Sequence, residues 1–514
     1  MLHNISRRQT LKLGGALGAL AVSGSMSHAQ APKRGGVFKV AKAHGATTDV
    51  IDPGTYSNGF MTAHGFIYGN LLTEVAADGS IQPELAESWE ASPDAVIWTI
   101  KLRQGVVFHN GKTMSADDVI ASIDHHRGDD SKSAAKPAVA PIEVMKKIDA
   151  NTIEFTLKAG DADFPYSLAD YHLVIVPANA DGSANWQDGI GTGPYKIENF
   201  DPGVSAVYNR NEDYFKKDRA WFDGIEMLSI VDPTARVTAL ISGQVHAIDR
   251  VPLKVANTLK RNPTVVLQEI AGNQHYTFAM HTTADPFKDN NVRQAIKYGI
   301  DRQEMVDKVL SGFGVVGNDH PIGRGQRFFA KDLAQKTYDP DKSKWHLKQA
   351  GLDSVSCDLS AADAAFEGAV NAALLFSDKA KAGGVNINVL REPNDGYWSN
   401  VWLKKPFTAV YWSGRPTEDA MFSSAYAKGV AWNDTFWDNT RFNELLLDAR
   451  AELDQDKRRA MYYEMQDLCA NDGGTVIPMF ASYVFAHSAK VKHDTLATNW
   501  DMDGEKWAER WWLE

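Results

Sequence analysis

Residues 96–102 read Val-Ile-Trp-Thr-Ile-Lys-Leu, and Val96, Trp98, Ile100 and Leu102 fall on one face of an extended chain. That period of two predicts a half-buried strand. The same pattern predicts strands at 37–40, 151–157, 195–198 and 204–208, the last two joined by the turn Asp201-Pro202-Gly203. Apolar runs at 407–412 and 476–479 predict two more. Helical spacing marks 61–72, 116–126, 291–310, 342–350, 442–449 and 457–470. Ser115 with Asp118 three residues on forms a capping box at the start of the second of these, and Gly351 stops the fourth. Strands and helices alternate irregularly, which predicts α/β lobes rather than a barrel.

The stretch GIGTGPYKIENFDPG, residues 189–203, is rich in glycine and could be taken for a phosphate loop. A phosphate loop opens a helix, whose N-terminal amides hold the anion. Here Pro194 follows Gly193, the next four residues alternate as a strand does, and no Gly-Lys-Ser/Thr triplet is present. The stretch is therefore expected to be a strand corner.

With 514 residues the chain is too long for one core, so two or three domains are expected. Residues 1–31 are set apart as a leader. Arg7-Arg8 before a mild apolar run, with small residues at 27–31, is a twin-arginine export pattern. No cysteine follows the run to carry a lipid. Removing Arg7, Arg8 and Lys12 takes the formal charge from −11 to −14. An acidic mature chain argues against nucleic acid or an anionic membrane as partner. No later apolar run approaches the roughly 18 residues of a membrane span, so a soluble periplasmic protein is expected. The two cysteines, Cys357 and Cys469, could pair in that compartment or remain free.

Metal and nucleophile signatures are missing: there is no C-x-x-C, H-E-x-x-H or G-x-S-x-G. His125-His126 are helix neighbours pointing about 100° apart and are read as solvated. Asp117-Asp118 suit a helix N-terminus without any acid–base role. Aromatic density is the positive signal. Among fourteen tryptophans, several cluster with tyrosines and phenylalanines between 397 and 437. Most of these should be core, but Trp432-Asn433-Asp434-Thr435-Phe436-Trp437 mixes rings with polar groups, as small-molecule sites do.

Thr192-Gly193-Pro194-Tyr195, the block from Leu102 through Gly111 with Ala116-Asp117-Asp118-Val119, and Asp285-Pro286-Phe287 with Val292-Arg293-Gln294-Ala295-Ile296 together resemble the extracytoplasmic solute-binding proteins of family 5, the dipeptide and oligopeptide type. The resemblance implies an α/β, two-lobed periplasmic binding protein of type II, in the large cluster C form, with a hinge of crossing strands. Lobe 1 would hold 32–272 and 475–514, with an inserted subdomain at about 78–187, and lobe 2 would hold 273–474. It implies a monomer that captures a peptide-like or other amphiphilic solute and hands it to ABC permease subunits, with no catalysis, cofactor or metal. Alternatives are an opine, a sugar acid or a metal chelate in the same fold, and a twin-arginine-exported periplasmic enzyme as a different class.

One departure bears on the cargo. Where peptide binders of the family carry an aspartate shortly after a tryptophan, Trp412-Ser413-Gly414-Arg415 places a guanidinium. It would repel an ammonium and grip a carboxylate. Arg415 either contacts an anionic group of the solute or pairs with Glu418 or Asp419. The same matching makes Tyr56, His275, Tyr276, Trp412, Ser413, Asn433, Phe436 and Phe480 pocket residues.

Overall fold

The computed structural model describes residues 32–514 except Asp129 and Asp395, so the leader expected at 1–31 lies outside the described residues. Two sheets dominate. A seven-stranded sheet runs, in spatial order, Val265–Ile270, Tyr483–Ser488, Ala247–Ile248, Val37–Lys42, Gly224–Ser229, Ser205–Arg210 and Tyr195–Asp201. A six-stranded sheet runs Gly314–Val316, Thr475–Ala481, His275–Met280, Phe407–Trp412, Val355–Ala361 and Val385–Arg391. Both mix parallel and antiparallel pairs, and no sheet among the described residues closes into a barrel. A four-stranded antiparallel sheet of Ala86–Ala91, Ile97–Leu102, Thr152–Leu157 and Ile142–Asp149 is inserted before the first sheet is complete. Each of the three sheets supplies strands to an apolar core of its own.

The chain passes between the two large sheets twice. It leaves Val265–Ile270 through 271–274 into His275–Met280, and returns from Thr475–Ala481 through Ser482 into Tyr483–Ser488. The return therefore comes at Ser482, not before 475. The strand Thr475–Ala481 is buried through its first six residues and pairs antiparallel with His275–Met280. A run buried this continuously fits the interior of the six-stranded sheet better than an edge.

The glycine corner is built by close approach. A Cβ on Gly193 would lie 2.3 Å from the carbonyl carbon of Tyr68, while the Gly193 amide donates to the Tyr68 carbonyl at 2.9 Å. Only glycine lets the corner lie against that helix end. The helix itself is Gly59–Tyr68, shorter than the predicted 61–72, because the next residues leave for the strand Thr73–Val75. The predicted helix at 291–310 is two helices, Asn290–Tyr298 and Arg302–Val309. Asp301 caps the second by accepting the Glu304 amide at 3.0 Å, and both bury apolar positions in one core, so the periodicity survives the break.

A further reading is corrected, and one left open is decided. His126 is buried rather than solvated, and His125 is half-buried. His125 Nε2 lies 2.6 Å from Asp52, and buried His126 contacts Ser133 at 2.7 Å. Cys357 and Cys469 are separate, buried free thiols, and burial pushes the Cys357 thiol up to about 12.

Candidate functional site

The two crossings form the floor of a cleft with two chambers, of about 610 Å³ and about 530 Å³. Both are within the usual size of small-molecule sites. Tyr171, Gly414, Tyr483 and Trp500 border both chambers. Gly414 belongs there because a Cβ would come within 2.6 Å of the Asn273 Cβ on the adjacent crossing. Tyr171 stacks on His172 with centroids 4.0 Å apart and meets Trp500 edge-on at 5.8 Å. These rings form an apolar divider between polar compartments.

The larger chamber is lined by Asp249, Arg250, Asp501 and Glu505, together with Glu367, Tyr276 and Ser413. Behind it, fully buried Lys42 holds Glu505 at 2.8 Å and Asp249 at 3.2 Å. Burial opposes the Lys42 charge, but Glu505 and Asp249 outweigh it and raise its pKa. Burial also raises Glu505, to about 7, even though it touches the ammonium. The two shifts are compatible because Asp249 and Asp501 compete for the same cation. Burial pushes Asp501 up to about 6.

Arg415 lines the smaller chamber. The strand Phe407–Trp412 ends just before it, and the helix Glu418–Ala425, capped by Thr417, begins just after. Its Nη1 reaches the carbonyls of Ser413 at 3.4 Å and Gly414 at 3.5 Å, within its own turn. Among the described residues it makes no ion pair. Glu418 instead accepts the Phe328 amide at 2.6 Å, and Asp419 pairs with Arg450 at 3.1 Å. Burial alone lowers the Arg415 pKa, with no nearby anion to offset it.

The other sequence-derived residues fall into two groups. Tyr276 and Ser413 line the larger chamber. His275, Trp412 and Phe480 share one register row across three strands at the crossing, with Trp412 and Phe480 on either side of His275. All three are buried, and none borders a chamber. Trp412 and Trp402 both donate to Asp434 at 3.3 Å, so this carboxylate pins the indoles from behind. Burial pushes Asp434 up to about 7.

Tyr56, Asn433 and Phe436 lie off both chambers. Tyr56 is core: its hydroxyl meets Tyr68 at 3.2 Å, and its carbonyl receives His172 at 2.7 Å. It supports a chamber residue without reaching the chamber. Asn433 spends its amide on the Ala427 and Trp437 carbonyls, holding its own loop. Phe436 is 45% exposed, edge-on to His281.

Tyr171, Tyr483, Trp500 and Asp161 were not found from sequence. Asn499-Trp500-Asp501 offered a hint, an aromatic ring beside an acid in a turn-rich tail. The other three are placed only by tertiary structure.

One carboxylate grouping of metal-binding size occurs among the described residues: Glu74, Glu84 and Glu509. Lys216 contacts all three at 2.7–3.1 Å, Lys506 meets Glu84 at 2.6 Å and Arg510 pairs with Glu74. Three cations already neutralise it, so it serves as a structural knot.

The inserted sheet also reaches across the cleft. Buried Asp163 receives both terminal nitrogens of Arg458 at 2.8 Å and Arg327 at 2.7 Å. Burial opposes its ionisation, but the two guanidiniums win and hold its pKa below the usual range.

Residues 80–434 match the family described as bacterial extracellular solute-binding proteins, family 5 Middle. Di/tripeptide-binding protein 1 of Pseudomonas aeruginosa is 26% identical over 481 residues, covering 86% of this chain and 89% of the relative. The structure of HbpA2 from Haemophilus parasuis superposes with a TM-score of 0.84 at 20% identity, covering 93% of this chain and all of that one. AgaA of A. tumefaciens R10, solved with agropinic acid, gives 0.71 at 25% identity, covering 93% and 99%. No helix among the described residues is long and apolar enough to cross a membrane.

Proposed function

Since the chain belongs to family 5 of the bacterial extracellular solute-binding proteins, we propose that it is the periplasmic capture component of an ABC importer and that its solute carries an anionic group held by Arg415. The solute sits between lobes built on the seven- and six-stranded sheets. The lobes close because it fits the closed arrangement better than the open one. Nothing is converted, a reading supported by relatives that are named as binding proteins. A di- or tripeptide and an opine such as agropinic acid bracket the chemistry that the similar proteins suggest.

The observation that carries this reading is a guanidinium with no acidic partner on the wall of a cleft chamber. An unmatched cation in a partly desolvated pocket is costly until an anion arrives. The test is native mass spectrometry of the mature protein after incubation with a mixture of peptides, opines, organic acids, sugar acids, polyamines and sugars. Retention of an anion-bearing solute, released with unchanged mass and lost in Arg415→Ala, supports the reading. Retention that Arg415→Ala leaves intact refutes the assigned anion site. A released product of altered mass refutes the non-enzymatic role.

A further inference from the structure

Away from both chambers, three side chains from distant parts of the chain meet on the lobe built on the seven-stranded sheet. Gln268 stands on the strand Val265–Ile270, His487 on its antiparallel neighbour Tyr483–Ser488, and His493 just after the short strand Val491–Lys492 of the C-terminal tail. The first two strands are those that lead into and out of the crossings. None of the three residues borders a chamber. The side-chain nitrogen of Gln268 lies 3.1 Å from His487 Nε2 and 2.8 Å from His493 Nε2.

The other ring nitrogens fix what faces the amide. His487 Nδ1 lies 2.9 Å from the Ser488 carbonyl, and His493 Nδ1 lies 2.7 Å from the Asp494 carbonyl. A carbonyl only accepts, so each Nδ1 carries the proton and donates it. Each Nε2 then turns a lone pair toward the same point. Metal-bound histidines are held in this way, with the second ring nitrogen donating to a carbonyl or carboxylate that fixes the ring. The two rings are centred 5.3 Å apart with their planes at 88°. Two imidazoles sharing a tetrahedral Zn2+ at about 2.0–2.1 Å have centres about 5 Å apart, so the rings need little movement. Turning the Gln268 amide over puts an oxygen where its nitrogen stands, which supplies a third ligand atom. Fully buried Trp511 backs His487 at 5.7 Å and His493 at 5.5 Å. His493 and Gln268 are half-buried, so the point is open to solvent from one side. The Lys492 ammonium next to His493 in the chain is held by the Ala489 carbonyl at 2.8 Å and by Glu514 at 3.1 Å.

We propose that His487, His493 and Gln268 form a site for a divalent transition-metal ion, Zn2+ first, with solvent completing its coordination. Imidazole nitrogen with one neutral oxygen suits Zn2+, Ni2+ and Cu2+, whereas Mg2+ and Ca2+ take sets of oxygen ligands. The bound ion pins the strand entering the first crossing, the strand leaving the second and the C-terminal tail at one point. It is therefore a clamp on the lobe that carries both crossings, and it is independent of the solute and of Arg415.

The test dialyses untagged mature protein, first stripped with a chelator, against Zn2+ alone, with Mg2+ as the control and no solute present. One Zn2+ per chain and no Mg2+ should be retained, and X-ray absorption at the zinc edge should count two imidazoles. His493→Ala should weaken Zn2+ binding at least about tenfold, because losing even a group that supports a ligand costs that much. Arg415→Ala should leave it unchanged. Gln268→Glu puts a carboxylate oxygen between the rings and should tighten binding. Zinc should raise the melting temperature of the parent and not that of His493→Ala, and melting without zinc confirms that each variant folds. Failure of the parent to retain Zn2+ overturns the proposal, since Gln268 then only ties the two rings together. Retention that His493→Ala leaves intact overturns it, as does an ion without imidazole ligands. If His493→Ala does not fold, Gln268→Glu decides: affinity no higher than the parent's overturns the site.

Discussion

Replacing Asp163 by asparagine perturbs the strongest polar contact across the cleft. Asp163 lies in the segment after the inserted sheet, and Arg327 and Arg458 lie in the half of the molecule built on the six-stranded sheet. The contact therefore exists only while the two halves are together. Arg458 is fully buried and reaches both Asp163 oxygens at 2.8 Å. Its remaining polar contacts are the Ala449 carbonyl and the Tyr462 hydroxyl. Removing one member of a buried, hydrogen-bonded pair costs about 3–5 kcal/mol, because the other charge stays desolvated. In the open form both groups face water and the cost vanishes. Taking the lower figure, Asp163→Asn shifts the closed-to-open ratio toward open by about a hundredfold. Apparent solute affinity falls with the closed population.

Lys254 and Glu367 face each other across the cleft mouth at 3.6 Å and are almost fully exposed, so cysteines there carry spin labels without burying them. Cys357 and Cys469 are buried and should stay silent. Pulsed-dipolar distances should show a short population in the labelled parent and a long, broad one in the Asp163→Asn background. An unchanged distance distribution refutes the idea that this ion triad holds the halves together.

Lys42→Met should destabilise the fold by about 3–5 kcal/mol, since Glu505 would lose its buried ammonium and Asp249 would keep only Arg236, at 3.7 Å. Chemical denaturation should show that deficit shrinking from pH 8 to pH 5, because Glu505 and Asp501, already raised to about 7 and about 6, take up protons there. For Asp161 the folded pKa, pushed up by burial and by Asp163 to about 7, lies above the ordinary aspartate value of 3.8. Its ionisation therefore costs stability as pH rises between those values, and Asp161→Asn should flatten that part of the stability curve. Cys357 and Cys469 should resist thiol reagents until unfolding, and reductant should leave the melting temperature unchanged.

Local pattern carried most of the elements. The strand Phe407–Trp412 has the bounds its apolar run predicted, and the capping box at Ser115 is present, with Ser115 and Asp118 bonded reciprocally. Glycine at 193 was legible because a strand corner against another backbone leaves no room for a Cβ. Breaks were less visible. The periodicity of 291–310 continues through a two-helix corner because both helices pack on one core. The site was half legible. Arg415 stood out as a change of charge beside Trp412, and Tyr276 and Ser413 followed from the crossing strands. Asn433 was misleading because a polar residue among aromatics can as well be tying its own loop. Trp500 left only the hint of a ring beside an acid, and Asp161 and the partners of Asp163 could not be read at all. Asp163 and Arg458 are 295 residues apart, and only the folded chain brings them together.

A crystal structure of the mature protein loaded with the solute it retains tests the central claim most directly. The account predicts one intact solute between the two large sheets, bordered by Tyr171, Tyr483 and Trp500, with an anionic group within hydrogen-bond distance of Arg415. A solute bound outside the cleft, or one inside it with no anion at Arg415, contradicts it.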